Sequence, residues 1–121
     1  MHKIAMALAT SAALLAAPAL HAKPKLTGEQ QLAKLLEGRE AGKPVDCLPL
    51  SDTRDARIID KTAIVYGAGR VIYVNRPTNA DSLDDDDVMV TELHSGQLCK
   101  IDTVKLHART SHMFSAFVGL N

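Results

Sequence analysis

The feature that most constrains the fold of this chain is a change of hydrophobic period at Pro44. Upstream of it, Leu32, Leu35 and Leu36 recur at the three- and four-residue spacing of one helix face. From Val45 onward, β-branched residues collect in short runs of period two, separated by Gly, Asp, Asn and Pro. Side chains that share a face lie 3.6 residues apart in a helix and two apart in a strand, so neither pattern serves the other structure. The expected class is therefore α+β, mostly β. It is an antiparallel meander of about five or six strands, in a curled sheet or small open barrel, with one N-terminal helix.

Leu26-Thr27-Gly28-Glu29-Gln30-Gln31 opens that helix, because Thr27 and Gln30 stand at capping-box spacing. Gly38 or Gly42 ends it, and Pro44 keeps it from resuming. The leucine stripe reads as a packing face against a sheet. Candidate strands are Cys47 to Leu50, Arg57 to Ile59, Ala63 to Tyr66, Val71 to Asn75, Val88 to Leu93 and Thr103 to Ala108. Gly67-Ala68-Gly69 marks a hairpin, since glycine reaches the positive φ of tight turns, and Ser95-Gly96 marks a weaker one. Asp60-Lys61 is a further turn. The apolar tail from Met113 to Leu120 suits docking on the core or completing a sheet edge.

The first 22 residues have the build of an export signal. Lys3 precedes an uncharged run from Ile4 to Ala17, then Pro18 and a small-residue end at Ala22. The run falls short of the roughly 20 apolar residues that cross a bilayer, and no cysteine is present to carry a lipid anchor. Cleavage after Ala22 is expected, with Ala17-Pro18-Ala19 as a second small-x-small site. Residues 1–22 are then the signal, 23–44 the helix and its connection, and 45–121 the β domain of a periplasmic or secreted protein.

Removing 22 of 121 residues leaves 99, few enough that a covalent staple matters to a core with two Tyr, two Phe and no Trp. Cys47 and Cys99 are most simply one disulfide, given an even count in an exported domain. The chain-entropy estimate for a loop of about 53 residues is roughly 4 kcal/mol. Free thiols, half of a metal site, or a nucleophilic Cys99 served by His94 or His107 are the competing readings. They need a reducing setting or partners that the spacing does not supply.

Fourteen basic and fourteen acidic residues give no net field to gather nucleic acid, and so few aromatics give no stacking platform for bases or sugars. From Asp81 to Glu92 there are six acids and no basic residue. No register of that run supplies the alternating acids, central Gly and closing Glu of a calcium loop, so a short acidic turn or solvated loop is expected. Ser82 and Asp85 stand at capping-box spacing. His94, His107 and His112, with Cys99 and Asp102, match no zinc spacing, and Ser111 lacks a nucleophile elbow. Gly67-x-Gly69 has no helix after it to hold a phosphate.

Asp46-Cys47-Leu48-Pro49-Leu50, Arg57-Ile58-Ile59-Asp60, Tyr73-Val74-Asn75-Arg76 and Leu98-Cys99-Lys100-Ile101-Asp102, in that order and spacing, resemble a domain-of-unknown-function family of small exported proteins from Gram-negative bacteria. The resemblance covers roughly Val45 to Leu106. It implies an export signal and a compact, mostly β domain without an assigned activity, ligand or catalytic residue. Many members of that family carry a further cysteine after the Asn-Arg segment, where this chain has Pro77 to Leu83.

The function expected from these features is that of a non-catalytic binding or envelope-associated domain. Its partner would be a protein or envelope component, met through a sheet edge or the acidic loop. No cofactor, catalytic residue, metal ligand, nucleic-acid partner or membrane span in the mature chain is assigned. The alternatives are a metal-binding protein using Asp84 to Asp87 and a small hydrolase using His94, His107 or Ser111.

Overall fold

The computed structural model describes residues 24–121, and the export-signal reading lies outside the described residues. In chain order the elements are helix α1 (Gly28–Leu36) and strands β1 (Cys47–Pro49), β2 (Ala56–Ile59), β3 (Ala63–Tyr66), β4 (Tyr73–Asn75), β5 (Asp87–Thr91), β6 (Gln97–Cys99), β7 (Thr103–Ala108) and β8 (Phe114–Gly119). Short 3-10 turns at Leu50–Thr53 and Ala80–Ser82 complete it. Among the described residues the strands form three antiparallel sheets, ordered β1-β6, β2-β3-β4 and β5-β7-β8, and no closed barrel. The class is α+β and mostly β, as expected, with eight strands instead of five or six.

The helix begins as its residues dictate. The Thr27 hydroxyl accepts from the Gln30 amide at 3.2 Å, and the Gln30 side chain accepts from the Thr27 amide at 2.9 Å. Leu32 is buried against β2 and β3, Leu35 is partly covered, and Leu36, expected on the same stripe, is exposed. Gly38 turns the chain at φ 72°. At the other end of α1, a Cβ on Gly28 would collide with the Thr62 hydroxyl and the Asp60 carbonyl, so glycine is what lets the helix seat on the β2–β3 turn. Arg39 then ties the helix end to the β3–β4 hairpin, donating to the carbonyls of Leu35, Gly69 and Arg70.

Every residue of β3 is buried, which explains its unbroken apolar run. Its alternation divides the interior. Ala63 and Val65 join Ile59 and Leu32 beneath the helix, whereas Ile64 and Tyr66 join Leu48, Leu83, Leu98, Val104, Leu106 and Val118 on the opposite face. The order of layers is thus helix, sheet β2-β3-β4, main core, sheet β5-β7-β8, with the β1-β6 ribbon closing one side of the core through Leu48 and Leu98.

Five local expectations change. Leu50 begins a 3-10 turn instead of extending β1, Val71 precedes β4, and β5 stops at Thr91, short of Leu93. Ser95-Gly96 joins β5 to β6, which are not neighbours, so it closes no hairpin. The 3-10 turn at Ala80–Ser82 ends at Ser82 where a cap was expected to start one. Gln97–Cys99 is a strand, because pairing with β1 recruits a segment too short to show a period. The apolar tail does complete an edge, as β8 beside β7.

Candidate functional site: a cleft between two open sheet edges

Cys47 and Cys99 are bonded, with an S–S distance of 2.03 Å, and they are direct partners in the β1-β6 register. Around them the Asp46 carbonyl accepts from the Lys100 amide, and the buried Asp102 carboxylate accepts from the Cys99 amide at 2.7 Å. The bond fixes a ribbon, and Leu98 of that ribbon lines a cleft.

The cleft, about 560 Å³, lies between β2 and β5, with the Leu50–Thr53 turn at its rim and Tyr66 and Leu98 among its lining. Consecutive residues of both strands line it: Ala56, Arg57 and Ile58 on one wall, Asp87, Val88 and Met89 on the other. Successive side chains of a strand point to opposite faces, so a wall made by consecutive residues is a strand edge, backbone included. Both strands are outermost in their sheets, and among the described residues no other strand pairs with their outer sides.

At the far edges of the same two sheets, the Asn75 side chain exchanges two hydrogen bonds with the backbone of Asn121, and the Asn79 side-chain amide donates to the Phe117 carbonyl on β8 at 2.8 Å. A side-chain amide thus occupies one edge carbonyl of β8. At the start of β5 the Asp87 amide donates to the Asp84 carbonyl.

Tyr66, in the lining of the cleft, keeps its hydroxyl buried in the core. The residue is 5% exposed, and among the described residues its hydroxyl is a buried polar atom without a hydrogen-bond partner. Burial pushes the phenol up to about 12, because the apolar surroundings penalise the charged form. A hydroxyl left in this state costs about 1–3 kcal/mol, and such atoms are rare enough in native interiors to call for a cause. At the rim, Arg54 and Arg109 make no ion pair among the described residues.

The other candidates are dispersed. Carboxylates of half-buried Asp60 and exposed Asp84 and Asp85 gather within 4.8 Å, and Lys25 approaches Asp85 at 3.9 Å. Asp84 spends one oxygen on the Asp86 amide, so the acidic run forms a tight turn into β5. His107 turns its ring to the backbone carbonyl of His112 at 3.2 Å, and Ser111 accepts from the Met113 amide. The Ser111 and His112 hairpin follows the Ala108 end of β7, whereas His94 follows the Thr91 end of β5, which pairs with Val104. The outer face of β5-β7-β8 carries exposed Val88, Val90, Phe114 and Phe117 around Lys105 and His107.

Sequence reasoning missed the cleft. The signal available was a tyrosine ending the otherwise aliphatic run Ala63-Ile64-Val65, a polar atom entering a buried strand. No protein-family model, curated protein or solved structure matches the chain.

Proposed function

We propose that this protein is a small non-catalytic binding domain that works outside the cytoplasm and takes its ligand in the cleft between β2 and β5. The observation that carries the reading is a concave site of about 560 Å³ walled by the outermost strands of two sheets, with Ile58, Met89 and Leu98 in its lining. The cross-linked Cys47–Cys99 ribbon supports an oxidising compartment, where such bonds persist, as do the signal-like start and the resemblance to small exported proteins. Among the described residues no helix is long and apolar enough to cross a membrane.

Amide NMR of the isotope-labelled chain, screened against peptides, sugars and lipid headgroups, tests the assignment. The expected result is ligand-induced shifts centred on Leu50, Tyr66, Met89 and Leu98. Shifts confined to another surface would remove the cleft from consideration. Turnover of an ester or amide, lost in His107→Ala or Ser111→Ala, would put the hydrolase reading in its place.

A further inference from the structure

We infer that the outer face of the β5-β7-β8 sheet docks a second copy of this chain, in a two-fold dimer whose axis runs along β7. The surface lies across that sheet from the core, and the inference does not depend on the cleft.

The layers of the fold leave this face bare. Helix α1 covers the β2-β3-β4 sheet through Leu32, whereas Val88, Val90, Phe114 and Phe117 on the outer side of β5 and β8 are 38%, 43%, 50% and 56% exposed. The chain has two phenylalanines, and both stand here, with ring centroids 4.6 Å apart. The enclosed core on the other side is aliphatic apart from Tyr66. Single exposed apolar residues are ordinary, but a contiguous set across three paired strands marks a contact surface.

The pattern on the face matches its own copy. Register sets two rows across the sheet, Val88–His107–Phe114 and Val90–Lys105–Phe117, so small β-branched side chains hold one flank and large rings the other. A two-fold axis along the central strand exchanges the flanks. It seats Val88 and Val90 of each copy over Phe114 and Phe117 of the other, and small against large lets two sheets interdigitate at about 10 Å. An axis across the strands would set ring on ring and valine on valine.

Charge follows the same gradient. Asp84 to Asp87 lead into β5 and Glu92 follows it, whereas the stretch from Thr103 to Asn121 holds Lys105 and Arg109 and no acid. Glu92 neutralises Lys105 within one copy, at 2.8 Å. Arg109 comes after Ala108, the register partner of Asp87, yet makes no ion pair among the described residues. The axis along β7 brings the acidic turn of one copy over the β7–β8 hairpin of the other, where Arg109 stands. That turn also disfavours an anionic lipid surface as the occupant. With fourteen basic and fourteen acidic residues, two copies have no net charge to hold them apart.

The area sets the strength. Three strands about 4.8 Å apart and five residues long span roughly 14 by 17 Å, less than the ~800 Å² per partner of a standard interface. The dimer is therefore weak, with a dissociation constant on the order of 100 µM.

Sedimentation of the full exported chain from about 10 µM to about 1 mM tests the association, and isotope-filtered NOEs on a mixture of labelled and unlabelled chains test its geometry. The expected result is a reversible monomer–dimer equilibrium with NOEs from the Val88 methyls of one copy to the Phe114 ring of the other. Phe117→Ser weakens it about tenfold or more and leaves the core resonances of Val104 and Leu106 in place. Arg109→Glu and Asp86→Lys each weaken the homodimer about threefold, and mixing the two variants restores it, because the altered charges then face each other.

A monomer throughout the concentration range overturns the inference, as does a dimer that Phe117→Ser leaves intact. A dimer with NOEs between Phe114 of one copy and Phe117 of the other overturns the axis along β7. Failure of the mixed charge variants to recover does the same. A monomer that binds phosphatidylglycerol vesicles through Phe114 and Phe117 gives the face to a membrane and overturns the second copy as its occupant.

Discussion

Cys47 and Cys99 face each other across the β1-β6 ribbon as partners in register, with Cα atoms 3.9 Å apart and the two sulfurs joined. Fifty-two positions separate them in sequence, so the bond closes most of the β domain into one loop. Replacing both by Ala is expected to cost about 4 kcal/mol through the restored freedom of the unfolded chain. Urea unfolding of the oxidised chain and the double variant measures it. A loss below about 1 kcal/mol would mean that the ribbon contributes little to the cooperative unit.

Tyr66 predicts an alkaline limit to stability. The folded phenol titrates at about 12 and the unfolded one near its ordinary value, so the folded state keeps a proton that the unfolded state loses between them. Stability is full below the lower value and falls as pH rises toward the upper, by an amount on the order of 3 kcal/mol. Tyr66→Phe removes this slope and the latest step in tyrosinate absorbance. At neutral pH that variant is expected to equal the parent or gain about 1 kcal/mol, because an unsatisfied hydroxyl leaves the core. Thermal unfolding across the alkaline range distinguishes the two chains.

Gly28 predicts a reversed sign for a familiar substitution. In an exposed helix, Gly→Ala usually gains up to about 1 kcal/mol. Here the added methyl meets the Thr62 hydroxyl and the Asp60 backbone, and Gly28→Ala should cost about 1–3 kcal/mol as α1 lifts from the β2–β3 turn. Pairing it with Thr62→Ala should recover part of the loss, while the Asp60 carbonyl retains the rest. Denaturant midpoints of the single and double variants check the ordering.

Calcium at millimolar concentration is expected to leave the melting temperature unchanged. Three carboxylates, one of them near Lys25, fall short of the roughly six to eight oxygens that calcium gathers. A saturable rise, lost in Asp84→Asn, would favour the metal-binding alternative.

Local rules were enough for the local elements. The Thr27–Gln30 capping box, the Gly38 turn, the Asp60-Lys61 and Gly67-to-Gly69 hairpins, and strands β3 and β7 follow from neighbouring residues alone, since caps, turns and side-chain period are set within a few positions. The pairing of Cys47 with Cys99 was readable because two cysteines allow only one internal bond. Tertiary structure alone decided that β6 leaves the meander to pair with β1, that β5 skips to β7, and that β2 and β5 therefore become open edges over Tyr66. The reason is physical: a strand's period records which face is buried but carries no mark of which neighbour it bonds. Edges and the cleft between them arise only when distant segments compete for the same backbone hydrogen bonds.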